Sequence, residues 1–218
     1  MNNEKKEFKD AIKELRGDFK TAVKDKKRWL VCAIELLLAG AVILIDFITK
    51  ILIYNHCDEK GDIILIPKVL RFTAVENTGA SFGIFQNQTA ALTIVSAICA
   101  ILLVIFIFYS YPRRNKLLRA SLIMITGGAI GNLIDRIALG FVRDFVYFEL
   151  IDFAVFNFAD SFLTVGTALL IIYVLFFFGK EEEEEHKKKL KESAQNAEQP
   201  TETAERESTD TQASPDKE

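Results

Sequence analysis

The sequence is poor in the residues on which most metal, thiol and histidine chemistry depends. Its 218 residues include two histidines, three cysteines, four prolines and one tryptophan. His56 and His186 share no metal-ligand or nucleophile spacing, which leaves no zinc pattern and no Ser–His or Cys–His arrangement. The odd number of cysteines, two of them inside long apolar runs, argues against a disulfide framework. Carboxylates are therefore the candidate catalytic groups, and no metal or cofactor is expected.

Charge is also scarce, but only in the middle of the chain. Half of the residues are hydrophobic and 26% are charged, which is too much charge for a uniform membrane protein. The excess is basic in residues 1–28 and acidic in residues 180–218. We therefore predict three parts: a charged N-terminal extension (1–28), a membrane core (29–179) and an acidic tail (180–218).

Four apolar stretches in the core are each near the roughly 20 residues that cross a bilayer. The first resembles a signal peptide, but its apolar run continues too far, so an uncleaved helix is expected. Basic residues in "KDKKRW" and "YPRRNKLLR" predict that both chain ends are cytoplasmic and that residues 55–89 and 140–157 lie outside. The predicted spans are Trp29–Tyr54, Ala90–Ser110, Leu117–Leu139 and Phe158–Phe178.

The two ends have different patterns. Apolar residues recur every three or four positions in residues 8–23, which is typical of a helix lying on a membrane surface; a solvated coil is the alternative. The acidic tail has almost no large apolar side chain, so we expect it to be disordered.

Polar groups gather at the outer ends of the predicted spans, where an ionisable side chain implies a function. Asp46 and Lys50 are four residues apart, a spacing that favours an ion pair. In "GGAIGNLIDRI", three- and four-residue spacings place Asn132, Asp135 and Arg136 on one side of the third helix, and the glycines allow close helix packing. A proton or ion pathway would need polar groups at the midplane as well, which this distribution does not offer.

Five motifs, "DFITK", "VENTGASFGIF", "GGAIGNLIDR", "GFVRDF" and "FNFADS", occur in the order and spacing of the lipoprotein signal peptidase (type II signal peptidase) family. The resemblance covers about residues 45–166. It implies an all-α membrane protein of four helices with a small extracytoplasmic β cradle, from about Ile63 to Phe85, and an outer loop, Phe141–Phe156. It further implies an aspartyl endopeptidase that removes signal peptides from diacylglyceryl-modified prolipoproteins, cleaving before the lipidated Cys.

The same resemblance assigns roles to residues. Asp144 and Asp160 are expected to be the catalytic pair. Substrate-binding residues are expected at Asn77, Asn132 and Arg136. The expected supporting residues are Asp46, Lys50, Gly79, Asp135 and Asn157. The expected partners are lipidated prolipoproteins and membrane lipids, with no nucleic acid, and the protein is expected to be a monomer.

Physical arguments refine several of these roles. Two neighbouring carboxylates share a proton and titrate as a unit. Asn157 is predicted to cap the fourth helix, which would place Asp160 near the positive end of the helix dipole. Asp135 or a neighbouring carboxylate is expected to orient the Arg136 guanidinium. Arg143 stands where the family usually has an apolar residue; it could lower the pKa of the acid pair or face water, and water is the favoured reading.

Two other classes of protein stay open at this level. One is a non-enzymatic four-helix protein, such as a lipid-binding scaffold or a family member that has lost activity. The other is a small transporter, but Glu35 is the only charge in the inner half of the first span, and one acid makes a poor pathway.

Overall fold

The chain's architecture was obtained as a computed structural model that describes residues 23–79, 88–110 and 115–197. Four of its helices are long and apolar enough to cross a membrane: Lys26–Lys60, Thr89–Tyr109, Lys116–Leu139 and Phe158–Lys188. The predicted fold class, a four-helix membrane protein with a small β-sheet, is confirmed. The surface helix predicted within residues 8–23 lies outside the described residues except for its last position.

The first helix extends beyond its predicted end at Tyr54. Helix α1 covers Lys26–Thr49, a π-helical turn follows at Lys50–Tyr54, and α2 covers Asn55–Lys60. The helix ends at Gly61, whose φ of 90° suits glycine and whose N–H donates to the carbonyl of Cys57. The extra turns are polar, "NHCDEK", and therefore carry no hydropathy signal.

The next helices match their predicted bounds within one residue: α3 is Thr89–Tyr109 and α4 is Lys116–Leu139. Asn115 caps α4 by accepting a hydrogen bond from the N–H of Leu117 at 2.9 Å. Glycines let α4 pack closely against its neighbours. A Cβ at Gly127 would lie 2.6 Å from Val42 of α1, and one at Gly128 would lie 2.6 Å from the carbonyl oxygen of Ala159.

The segments that connect the membrane helices form a three-stranded antiparallel sheet. Strand β1 is Ile63–Ile66, β2 is Leu70–Asn77 and β3 is Val142–Tyr147, in the order β1-β2-β3. Strand β3 falls within the segment predicted as an outer loop, so the first part of that segment completes the sheet. A register shift between Phe72 and Val75 precedes the pairing of Val75 with Asp144. A 3-10 turn, Glu149–Ile151, follows β3.

The last membrane helix begins with α5, Phe158–Tyr173. The chain divides at Tyr173 and Val174 into two compact units. The second unit contains a π-helical turn, Val174–Phe178, and helix α6, Gly179–Ala197. The tail was expected to be disordered from residue 180, whereas residues up to Ala197 are helical. Glu, Lys and Ala favour helix, and Glu183 pairs with Lys187 one turn later at 2.6 Å.

Candidate active site

A cavity of about 390 Å³, lined by apolar residues and a cluster of polar side chains, lies where β2, β3, α4 and α5 meet. It is lined by both predicted catalytic acids and by all three predicted substrate-binding residues, together with apolar residues from the segment 153–156. Two hydroxyl residues of α5, Ser161 and Thr164, also line it. These two were missed in the sequence, although Thr164 stands one helical turn after Asp160 and could have been found by that spacing.

Asp144 is held in β3, where its residue is 1% exposed. The amide of Asn77 donates to its Oδ2 at 2.9 Å, and the amide of Asn157 donates to its Oδ1 at 2.6 Å. Burial, and next the charge of Asp160, raise the pKa of Asp144 to about 7, against the opposing effect of the two amide hydrogen bonds and of Lys50. Burial beside a second acid therefore favours the protonated form of Asp144.

Asp160 is held in the first turn of α5 by a reciprocal cap. The Oδ1 of Asn157 accepts a hydrogen bond from the N–H of Asp160 at 2.9 Å, and the N–H of Asn157 donates to Oδ2 of Asp160 at 3.2 Å. The predicted cap is thus confirmed. The amide of Asn132 donates to the other oxygen of Asp160 at 2.7 Å. Both oxygens of Asp160 therefore accept hydrogen bonds, which fixes the orientation of the carboxyl group in the cavity.

Asn157 links the two acids. It is fully buried, and its Nδ2 donates both to Asp144 and to Oδ1 of Asn132, the latter at 3.0 Å. Its Oδ1 is already committed to the N–H of Asp160, so its amide orientation is fixed. One side chain therefore sets the geometry of both carboxylates.

Four charged side chains, three of them buried and Arg143 partly buried, form a row beside the cavity. The Nζ of Lys50 lies 2.7 Å from Asp46 and 3.2 Å from Asp135, and Arg143 lies 2.7 Å from the other oxygen of Asp135. The predicted pairing of Asp46 with Lys50 is confirmed. Asp46 also accepts a hydrogen bond from the N–H of Ala159 at 2.9 Å, which ties α1 to the start of α5.

The expectation for Arg143 is wrong, and of the acids expected to orient Arg136, Asp135 is not its partner. Arg143 does not face water: its side chain is 12% exposed, and Asp135 accepts from both its guanidinium and its backbone N–H. Asp135 is paired with Lys50 and Arg143 and makes no hydrogen bond to Arg136 within the described residues, while the carboxylates that act most strongly on the charge of Arg136 are Asp160 and Asp144. The Arg136 guanidinium donates instead to the carbonyl of Gly79 at 3.1 Å. Gly79 also donates its N–H to the side chain of Asn77 at 2.9 Å, which places it beside the cavity as predicted.

Arg136 has capacity left for a ligand. It lines the cavity, and its Nε has no hydrogen-bond partner within the described residues. Glu35, the acid that a transport pathway would use, is instead paired with Arg119 at 3.1 Å. In the described part of the chain, no group of three or more His, Cys, Asp and Glu side chains is placed to hold a metal ion.

Together these features define a class: a multi-pass membrane protein with an acidic, amide-lined cavity at the junction of its helices and sheet. Two solved structures of bacterial membrane enzymes, determined by the in meso method at 1.9 and 2.3 Å, share this fold with TM-scores of 0.58. They are 33% and 32% identical to this chain, each covers 66% of it, and it covers 94% and 88% of them respectively.

The particular family follows from sequence similarity. Residues 38–176 match the family described as "Signal peptidase (SPase) II". The lipoprotein signal peptidase of Clostridium tetani is 38% identical over 141 residues, which are 63% of this chain and 90% of that protein. That of Caldanaerobacter subterraneus is 40% identical over 135 residues, 62% of this chain and 91% of that protein. The chain belongs to the signal peptidase II family and is a protease.

Proposed function

We propose that this protein is an aspartic endopeptidase that removes the signal peptide from diacylglyceryl-modified prolipoproteins by cleaving before the lipidated Cys. Family membership supports the removal of signal peptides from prolipoproteins. The observation that carries the aspartic mechanism is the pair Asp144 and Asp160, both lining one cavity and both held by the single amide side chain of Asn157.

The hydrolytic step uses the two acids in different protonation states. Asp160, ionised, takes a proton from a water molecule as the water oxygen attacks the scissile carbonyl carbon. Asp144, protonated up to about pH 7, gives its proton to the carbonyl oxygen. The resulting tetrahedral species, a gem-diol, collapses as the carbon–nitrogen bond breaks: the leaving amine takes the proton from Asp160, and Asp144 takes back a proton from one of the two hydroxyls, which leaves the carboxylic acid product. The pair regains its single proton, so no further reactant is consumed.

Arg136 holds the substrate in this scheme. Its guanidinium cannot act as a base, but it presents several donors in a planar fork. One donor is used by the carbonyl of Gly79, and Nε is unpartnered within the described residues, so the fork can engage a backbone carbonyl of an extended peptide. Asn77 and Asn132 each use one amide N–H on an acid and retain a second for the substrate.

The proposed orientation places the cavity at the outer face of the bacterial cytoplasmic membrane and both chain ends in the cytoplasm, because basic segments flank the inner ends of the helices. The lipid chains of the substrate and of the membrane are the expected apolar partners, and the protein works as a monomer.

The test is cleavage of a purified lipidated prolipoprotein, read by mass, beside the unlipidated form. We expect cleavage of the lipidated form alone. Asp144→Asn and Asp160→Asn should each abolish it, because each removes one of the two proton-transfer groups. Asp152→Asn is the matched control, since this acid of the same outer segment accepts only from the exposed Tyr147 hydroxyl at 2.6 Å in the described structure. Near-native turnover by either catalytic variant would contradict the mechanism.

A further inference from the structure

Lys50 is a fully buried cation at the first position of the π-helical turn that ends α1. An ammonium has three N–H donors. The three acceptors around it are Oδ2 of Asp46 at 2.7 Å, Oδ1 of Asn132 at 3.0 Å and Oδ2 of Asp135 at 3.2 Å. All three donors are therefore committed, and none is left for the catalytic acids.

The contact with Asn132 determines which way that amide points. Its oxygen faces two donors, Nζ of Lys50 and Nδ2 of Asn157, each at 3.0 Å. Its nitrogen then donates to Oδ1 of Asp160 at 2.7 Å. A flipped amide would set its N–H groups against an ammonium and its oxygen against a carboxylate, so both contacts would become repulsive.

We propose that Lys50 is a positioning residue for hydrolysis: by holding the carbonyl oxygen of Asn132, it directs the Asn132 amide N–H onto Asp160 and keeps that acid aligned for proton abstraction. This inference rests on the proposed function. Lys50 touches neither acid; besides the long-range effect of its charge on Asp144, it reaches Asp160 through the neutral amide of Asn132. The Asn132 amide, polarised by the cation on its oxygen, is also a stronger donor to Asp160.

Lys50 has a structural role as well, and the experiment must separate the two. It balances the charge of Asp46, whose other oxygen accepts the N–H of Ala159 at the start of α5. Asp135 depends less on Lys50 than Asp46 does, because Arg143 also neutralises the charge of Asp135. A loss of Lys50 could therefore disturb α5 through Asp46 without involving Asn132 at all.

A double-mutant cycle on kcat distinguishes these routes. The variants are Lys50→Met, Asn132→Ala and the double variant, each purified as the full chain and assayed on one lipidated prolipoprotein. If Lys50 acts through Asn132, each single change lowers kcat by about tenfold or more, and the double variant is no slower than the slower single variant. The KM of Lys50→Met should change by less than about threefold, because Lys50 does not line the cavity, whereas Asn132→Ala is free to raise KM through its lost substrate contact. A role of Lys50 that does not pass through Asn132, whether in holding the structure or through its charge on the acids, predicts independent effects, so that the two reductions in kcat multiply.

Folding is followed by thermal unfolding in detergent. If Lys50→Met does not fold, the same cycle is run with Asp46→Asn present in every variant, since the asparagine keeps an acceptor for Ala159 and leaves no uncompensated charge. The proposal would be overturned if the reductions in kcat multiply in whichever cycle consists of folded variants, or if kcat is unchanged in Lys50→Met. The proposed function fails separately, if the unaltered enzyme does not cleave the lipidated substrate or if Asp144→Asn retains turnover.

Discussion

Removing the hydrogen bond between Asn77 and Asp144 should move the pH dependence of cleavage upward. Nδ2 of Asn77 donates to Oδ2 of Asp144 at 2.9 Å and favours the ionised form of an acid whose pKa is already raised to about 7. Asn77→Leu keeps a similar shape but cannot donate, so the pKa of Asp144 must rise further. In the proposed mechanism Asp144 acts while protonated, which means that activity falls as pH rises through this pKa.

The size of the shift follows from the strength of the bond. A hydrogen bond to a charged group contributes on the order of 1.5–3 kcal/mol, and one pKa unit corresponds to about 1.4 kcal/mol. Asn77 is only partly buried, so water replaces some of the lost interaction and the lower end applies. We expect the descending limb of kcat/KM, near pH 7 in the unaltered enzyme, to move up by about one pH unit.

The assay is the initial rate of cleavage of a lipidated prolipoprotein at low substrate concentration, measured from about pH 5 to pH 9. Glu76→Gln is the matched control, because Glu76 precedes Asn77 in β2, is exposed and pairs in register with Arg143. It should leave the limb in place. A lower overall rate for Asn77→Leu is compatible with lost substrate contacts, but a limb that stays fixed or moves to lower pH would refute the reasoning about Asp144.

Three further outcomes are expected. Arg136→Lys keeps the charge but loses the planar fork, so kcat/KM should fall by about tenfold or more, and equal rates would reduce Arg136 to a helix-end anchor. Deleting residues 182–218 should leave the cleavage rate of the purified enzyme unchanged, because the deletion removes only part of the second compact unit; lost catalysis in a folded core would contradict this. Gly128→Ala should lower the free energy of unfolding in detergent by about 1–3 kcal/mol, because its Cβ would meet the carbonyl of Ala159 at 2.6 Å. Gly40→Ala, with nothing within 4 Å of its Cβ, should not destabilise the protein.

Much of the fold was accessible from sequence because apolar length and basic loops are local signals. The spans of α3 and α4 were placed within a residue for that reason. Asp46 and Lys50 could be paired because four residues on one helix must meet. Asn157 could be assigned as a cap because a helix cap involves only neighbouring residues: Asn157 stands just before the helix, and Asp160, whose N–H it accepts, lies three positions later.

The errors concern contacts made across elements. The partner of Asp135 could not be found by spacing, because Arg143 reaches it only after β3 pairs with β2 and passes beside α4. The same pairing, with its irregularity between Phe72 and Val75, brings Asn77 to Asp144. Hydropathy also carries no information on helices made of charged residues, which is why the helical turns beyond Tyr54 and those of α6 were not predicted.

The row of buried charges has a consequence for how the protein is built into the bilayer. Asp46 and Lys50 belong to one helix, so they can neutralise each other as soon as that helix forms, and the segment can enter the lipid without a net charge at that end. Asp135 has its described partners elsewhere, on the π-helical turn after α1 and on β3. Helix α4 therefore reaches its lowest energy only after α1 is beside it and the strand has folded onto it. Insertion of the third span and folding of the sheet are thus expected to complete as one cooperative event.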